Sequence, residues 1–212
     1  MTNNKIKLAI QKNGRLTEET VSFLKSAGLE FENYRQRLFS SCRNFPMEIV
    51  YVRDDDIPDY VESGAVDLGI VGQNILYESN KRVVNIQKLC FGFCSLSIAI
   101  PKKSRIKKIE QLKNARIVTA YPNSAQEYFR EKNIPVKVTT LSGSVEIAPA
   151  LGIADAIVDL VSTGRTLTLN KLKMFKKIYN SQAMLIKGVK NNLSPRKQIL
   201  MKKLIERFKK IL

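Results

Sequence analysis

Short apolar runs alternate with amphipathic segments from residue 5 to residue 187, and this alternation limits the fold more than any other feature. Runs of five or six residues have the length of strands. They fall at 5–10, 48–52, 67–71, 96–100, 116–120, 136–140, 156–161 and 183–187, with Pro101 stopping the fourth. Helices are predicted between them. The first has Thr17 as N-cap, Glu18 and Glu19 in its opening turn and Gly28 after its end. Val21, Leu24 and Ala27 form its apolar face. Further helices are predicted at 57–62, 106–112, 124–132, 144–151 and 166–178. A last one starts at Pro195, with Leu200, Leu204, Phe208 and Ile211 on one face and lysines on the other. It is expected to pack on its own domain or on a dimer mate. Strands alternating with helices predict α/β layers with a largely parallel sheet. About 190 residues in this order suit two small lobes better than one large sheet. The first crossing between lobes is expected near Ser95.

Composition removes several kinds of chemistry. The 212 residues include no histidine. That excludes a Ser-His-Asp or Cys-His unit, a His-containing zinc site and a His general base. Carboxylates, Lys, Arg, Tyr, hydroxyls, backbone dipoles or a borrowed metal must serve instead. The formal charge of +17 resembles that of a nucleic-acid binder, but its distribution argues against one. Residues 171–212 hold 13 basic residues and one acidic residue, whereas the first 170 hold 23 and 18. The excess is read as a basic tail, and no nucleic-acid partner is expected. Cys42, Cys90 and Cys94 form neither a disulfide framework nor a zinc cluster, and are read as free thiols. No signal peptide is visible, and no run approaches the ~20 apolar residues of a membrane span. A cytoplasmic protein without membrane contact is expected.

The most informative segment is 155–167, Asp-Ala-Ile-Val-Asp-Leu-Val-Ser-Thr-Gly-Arg-Thr-Leu. An apolar strand bears Asp155 near its start and Asp159 in its middle. The small-residue turn Ser162, Thr163 and Gly164 follows, and then a helix starts near Thr166. A strand feeding a glycine turn and a helix start presents free N–H groups to an anion. The Ser and Thr hydroxyls add donors, and Gly164 lets the backbone approach a phosphate closely. The carboxylates suit ribose hydroxyls or a ribose-bound Mg²⁺. Together these parts describe a ribose-5-phosphate cradle; the alternative is an ordinary capped strand–turn–helix. The Asp54–Asp56 cluster before Pro58 reads as a helix cap in preference to a metal site.

This segment resembles the phosphoribosyl-pyrophosphate (PRPP) loop of the ATP phosphoribosyltransferase family. Six further segments resemble the same family in order: Gln11-Lys-Asn-Gly-Arg-Leu16, Val52-Arg-Asp-Asp-Asp-Ile-Pro58, Val66-Asp-Leu-Gly-Ile-Val-Gly72, Phe91-Gly-Phe-Cys94, Tyr121-Pro-Asn123 and Gly143-Ser-Val-Glu-Ile-Ala-Pro149. The resemblance runs from about residue 5 to about residue 212. It implies a two-lobed, periplasmic-binding-protein-like (type II) fold with the active site in the inter-lobe cleft. Residues 1–95 and 181–212 would form a discontinuous nucleotide-side lobe, and 96–180 a second lobe carrying the PRPP loop. The implied reaction joins N1 of the ATP adenine to C1 of the PRPP ribose and releases pyrophosphate, the first step of histidine biosynthesis. Mg²⁺ would be carried by the pyrophosphate, with Asp155 or Asp159 as its nearest protein carboxylates.

The resemblance and the residue chemistry together assign roles. Ser162, Thr163, Gly164, Arg165 and Thr166 would hold PRPP. As the catalytic carboxylates, Asp155 and Asp159 would face the ribose hydroxyls or the metal, and Glu146 would reach the ribose. Lys12, Arg15 and Arg53 would bind the ATP polyphosphate, and Asp67 and Gly72 would border its pocket. Tyr121, grouped with the ATP-binding residues, is read as a wall or stacking residue. Asp67 reads equally as a solvated carboxylate at a strand edge. A homodimer or higher oligomer is implied. The chain resembles a long form without its C-terminal regulatory domain, or a short form that works with a regulatory subunit resembling histidyl-tRNA synthetase. The competing reading is a cytosolic two-lobed small-molecule binding protein without catalysis.

Overall fold

The computed structural model describes residues 4–32, 38–189 and 193–212. In chain order the elements are β1 (Ile6–Gln11), α1 (Thr17–Ser26), β2 (Phe39–Ser41), β3 (Met47–Val52), α2 (Ile57–Glu62), β4 (Leu68–Gly72), α3 (Gln73–Ser79), β5 (Val83–Lys88) and β6 (Cys94–Pro101). After these come β7 (Arg116–Thr119), α4 (Pro122–Glu131), β8 (Lys137–Thr140), β9 (Ala156–Val161), α5 (Arg165–Leu169), β10 (Leu172–Ser181), β11 (Ala183–Gly188) and α6 (Pro195–Lys209). Two 3₁₀ turns, Ile109–Leu112 and Val145–Ile147, stand where longer helices were predicted. The chain divides into two compact units, Met1–Gly92 with Gln182–Leu212, and Phe93–Ser181.

The first unit is built on a six-stranded sheet in the order β2-β3-β1-β4-β11-β5. β1 runs parallel to β3 from Ile6↔Met47 to Gln11↔Val52, and parallel to β4. β2, β11 and β5 are antiparallel to their neighbours. The core gathers Ile6, Leu8 and Ile10 of β1, Leu24 of α1 and Leu204 and Phe208 of α6. Phe23 of α1 lies against Phe208, with ring centroids 5.0 Å apart. The C-terminal helix therefore packs on its own unit. Ser194 caps it by accepting a hydrogen bond from the Lys197 N–H.

The second unit has a five-stranded sheet, β10-β6-β9-β7-β8. β7 is parallel to both β8 and β9, whereas β6 is antiparallel to β9 and to β10. Leu96, Ile98 and Ile100 of β6 meet Phe129 of α4 in one core cluster. Ala99, Val118, Ile157 and Leu167 form a second cluster. Both sheets are thus mixed, not largely parallel. In each, parallel strands are joined by helices while antiparallel strands close the flank.

Further sequence readings need correction. The helix predicted at 166–178 ends at Leu169, Lys171 turns the chain with φ +57°, and β10 follows. Leu172, Phe175 and Ile178 have helical spacing because β10 carries register shifts at 174/176 and 177/179. Each bulge adds a residue, so the inward period stretches from two toward three. β2, α3 and β5 were not predicted. Leu16, not Thr17, takes the N-cap position of α1, while the Thr17 hydroxyl donates to the Gln11 carbonyl. Finally, the basic "tail" is no structural element. Lys171, Lys173, Lys176 and Lys177 belong to the second unit, which carries 15 basic and 6 acidic residues.

Candidate active site

In open α/β sheets, ligands are held at the carboxyl ends of parallel strands. In the second unit these ends belong to β8, β7 and β9, with β7 in the middle. β9 runs into Ser162, Thr163 and Gly164, and the turn faces solvent. Gly164 has φ +74° and occupies the N-cap position of α5. A residue with a Cβ would be strained there. The Thr163 hydroxyl accepts from the Arg165 N–H at 3.4 Å, and the Ser162 hydroxyl donates to the Phe93 carbonyl at 3.5 Å. β7 leads to Tyr121, the N-cap residue of α4, whose N–H donates to the Thr119 hydroxyl at 2.8 Å. Tyr121 thus lies at the same sheet edge as the Ser162–Thr166 turn.

Asp159 is half-buried in β9, opposite Ser97 of β6. Burial pushes its carboxyl up to about 6, and the charge of Glu146 adds to the rise. The Leu160 N–H, which donates to Asp159 Oδ1 at 2.8 Å, opposes it. Glu146 comes from the Val145–Ile147 turn, introduced by Ser144 at φ +49°. The structure thus brings Asp159 and Glu146 into electrostatic contact.

Asp155 is not brought to this edge. It precedes β9, at the opposite end of the strand from the turn. Its carboxylate accepts from the Arg116 N–H at 2.8 Å and pairs with the guanidinium at 2.8 Å. Arg116 holds this carboxyl below the usual range. The expectation that Asp155 faces ribose or metal is therefore corrected: its lone pairs already have partners, about six residues of strand from the cradle.

In the first unit the carboxyl ends of β1 and β3 open onto a cavity of about 600 Å³. Lys12, Asn13, Phe39, Arg53, Asp54 and Tyr60 are among its lining residues. The Lys12 N–H donates to the Val52 carbonyl at 2.8 Å and ties the two strand ends together. Asp56, also in the lining, takes the N-cap position of α2 without a side-chain cap hydrogen bond, so the helix-cap reading holds by position only. Burial raises the Asp55 carboxyl, and Asp54 and Asp56 add to the effect. No group of three or more His, Cys, Asp or Glu among the described residues is arranged to hold a metal.

Arg15 does not line this cavity. Its Nη1 donates to the Gly92 carbonyl at 2.5 Å, while the Gly92 N–H donates to Glu19 Oε1 at 3.3 Å. A Cβ on Gly92 would come 2.1 Å from Leu16 Cδ2. Gly72 precedes α3, and a Cβ there would meet Asn74 Oδ1 at 2.3 Å and Arg15 Nη2 at 3.6 Å. Arg15 thus has one N–H engaged with the backbone of the first unit, while the residue itself stays exposed. Asp67 is also corrected. It sits at the start of β4, its side chain 6% exposed, with Lys197 Nζ at 2.8 and 3.0 Å from its two oxygens. The Lys7 N–H donates to it as well, at 2.8 Å. It is a buried strut, neither solvated nor at a pocket. The sequence reading passed over Asn13, Phe39 and Tyr60. Asn13 lies inside the quoted 11–16 motif, whereas Phe39 and Tyr60 carried no signal beyond being apolar residues left exposed.

Comparison with known proteins bears on the family and the fold. The family model described as HisG, ATP phosphoribosyltransferase, matches residues 53–210. An ATP phosphoribosyltransferase of Cytophaga hutchinsonii is 46% identical over 180 residues, covering 85% of this chain and 63% of the relative. The chain thus spans less than two thirds of that relative's length. Among solved structures, the ATP phosphoribosyl transferase (HisG:HisZ) complex from Thermotoga maritima superposes with a TM-score of 0.81 at 28% identity, covering 97% of both chains. The arginine-, lysine-, histidine-binding protein ArtJ from Geobacillus stearothermophilus matches in fold alone, with a TM-score of 0.59 at 16% identity over 97% of this chain and 91% of that one. The fold is α/β and periplasmic-binding-protein-like, and the chain belongs to the ATP phosphoribosyltransferase family.

Proposed function

We propose that the chain catalyses the condensation of ATP and PRPP to N1-(5-phosphoribosyl)-ATP and pyrophosphate, the first step of histidine biosynthesis. The observation that carries this reading is the solvent-facing Ser162–Thr166 turn, with Gly164 at φ +74°, beside the Asp159–Glu146 pair. N1 of adenine bonds to C1 of the ribose while the C1–O bond to pyrophosphate breaks and its electrons leave with that oxygen. Charge builds on the ring carbon and on the leaving group, so positioning and neutralisation supply the catalysis, and no covalent nucleophile is needed. The absence of histidine is no obstacle.

In this reading the turn's N–H groups and the Ser162, Thr163 and Thr166 hydroxyls hold the 5-phosphate. Asp159 and Glu146 accept from the ribose hydroxyls, and Tyr121 walls the same edge. Lys12, Arg15 and Arg53 serve ATP in the first unit; Gly72 and Asp67 support that unit's backbone. Mg²⁺ enters on the pyrophosphate of PRPP. There it would offset the leaving group's charge. A cytoplasmic location, a homodimer or higher oligomer and a synthetase-like regulatory subunit are part of the proposal. None of the described helices is long and apolar enough to cross a membrane. The purified chain with ATP, PRPP and Mg²⁺ is expected to release pyrophosphate. No release, alone or with a synthetase-like subunit, overturns the reading.

A further inference from the structure

We propose that the second unit carries, at the end of its sheet opposite the Ser162–Thr166 turn, a surface that binds the phosphate backbone of duplex nucleic acid without reading its sequence. Its centre is the loop 102–108, Lys-Lys-Ser-Arg-Ile-Lys-Lys, together with Lys171. Nucleic acid was not expected while the excess charge was placed in a C-terminal tail; the 15 basic and 6 acidic residues of the second unit reopen the question. The proposal is independent of the phosphoribosyl reaction.

Charge in this unit is polarised along the strands. After the carboxyl ends of β7, β8 and β9, the stretches 120–124, 141–147 and 162–166 hold one cation, Arg165, and one acid, Glu146. At the other end, 102–115, 132–137 and Lys171 hold nine cations and one acid, Glu110. The strand register fixes the separation. Ser95 of β6 is opposite Val161, beside the turn, whereas Pro101 is opposite Leu172. Six residues of strand put about 20 Å between the two ends. That is more than twice the ~8 Å Debye length of physiological salt, so the basic end contributes little to holding PRPP.

The loop is held in place. Ile106 packs against the core cluster that contains Phe129. The Gln111 side chain accepts from the N–H groups of Lys107 and Lys108, at 2.7 and 3.0 Å. The Lys102 N–H donates to the Lys171 carbonyl at 2.8 Å, which joins a sixth cation to the loop's five. All six are exposed, and none belongs to an ion pair among the described residues. They stand in a loop and a turn, where no free strand edge calls for lysines as guards. The kind of cation selects the partner. Five of the six are lysines, which protein interfaces avoid in favour of arginine and aromatic residues. A second copy offers no net opposite charge, since the first unit carries 21 basic and 13 acidic residues. The loop holds no aromatic residue, so a single strand would find no ring on which to stack its bases. Clustered point charges match the dense phosphates of a duplex.

The test is fluorescence anisotropy of short labelled DNA and RNA duplexes, each in two sequences, with the full chain. A dissociation constant of about 1–100 μM near physiological salt is expected, alike for the two sequences, with a log–log salt slope of about −3 to −5. Either duplex with these traits supports the surface, and the tighter one names its source. The variant Lys102→Gln, Lys103→Gln, Lys107→Gln and Lys108→Gln should weaken binding at least tenfold and flatten the slope, with PRPP affinity unchanged. The control Lys202→Gln, Lys203→Gln, Lys209→Gln and Lys210→Gln removes the same charge from the exposed side of α6 and should change binding less than about threefold. No binding at about 50 mM salt, equal losses in the two variants, a slope near zero or a hundredfold preference for one sequence each overturns the proposal. Binding to phosphatidylserine vesicles by a chain that ignores both duplexes overturns it too. Should the loop variant fail to fold, wild type decides: bound duplex should protect the four loop lysines from acylation and leave the four of α6 reactive, and uniform labelling overturns the surface.

Discussion

Asp67 and Asp155 occupy the same place in the two units and do the same thing to the backbone. Each stands just before a parallel strand, β4 or β9. The Asp67 N–H donates to the Lys7 carbonyl at 3.0 Å and its carboxylate accepts from the Lys7 N–H. Asp155 repeats this pair of bonds with Arg116, at 2.9 and 2.8 Å. Each is then paired with a cation. The difference is solvent. The Asp67–Lys197 side chains are 6% and 16% exposed, and those of Asp155 and Arg116 are 42% and 48% exposed. A closed pair becomes expensive to break, because the survivor is a buried charge, whereas an open pair is screened by water and salt. Carboxylates at the amino ends of parallel strands are therefore fastenings in both units. The acid left with unused capacity, Asp159, lies farther along its strand.

The largest test of this contrast is Lys197→Ala, which leaves Asp67 buried and alone. It is expected to cost about 3–5 kcal/mol in urea unfolding, and Lys197→Met, which restores packing but not charge, nearly as much. A loss below about 1 kcal/mol would erase the distinction between the two pairs. Next is the cradle at the other end of β9. The double change Thr163→Ala and Thr166→Ala is expected to weaken PRPP by about 1–3 kcal/mol, or roughly fivefold to 150-fold, with an unchanged melt. Unchanged PRPP affinity would show that β9 holds no ligand at either end.

Asp159→Asn sharpens the comparison from the opposite direction. Because the folded carboxyl titrates near 6, above its unfolded value, the fold binds the proton more tightly than the unfolded chain does. Stability therefore falls as pH rises from about 4 to about 6 and stays lowered above that window. At pH 8 the Asn variant should gain about 1–2 kcal/mol, the half-exposed site discounting the full value of the shift. At pH 4 the gain should vanish, and a gain independent of pH would refute burial of the charged carboxylate as its cause. The smallest effect belongs to Asp155→Asn. Its folded carboxyl is depressed, so its contribution is present above the unfolded value and is lost as pH falls through the folded one. Scanning calorimetry at pH 7 should show a shift of at most about 2 °C that fades in high salt.

The sequence made the PRPP cradle legible because strand, glycine turn and helix start are contiguous at 156–167. The partners of Asp67, Asp155 and Arg15 were not legible, since each lies far along the chain: Lys197, Arg116 and Gly92. A carboxylate beside a strand looks alike whether its partner is a ligand or a lysine 130 residues away. β10 was misread because two bulges gave a strand a helical period. β2 and β5 escaped notice for another reason: as edge strands they bury few side chains, so little alternation marks them.

The position of β11 has a consequence for synthesis. It lies between β4 and β5, and β5 has no other neighbour in the sheet among the described residues. The second unit, by contrast, is one continuous stretch ending at Ser181. As the chain leaves the ribosome, that inserted stretch is complete before β11 exists, so it is free to fold first. Until then the first unit has a sheet with a gap at β4 and an unpaired β5, and α1 lacks Phe208 against Phe23. The part that begins first is thus finished last, and its β4 edge and apolar core stay exposed to other chains for as long as the insert takes to be made.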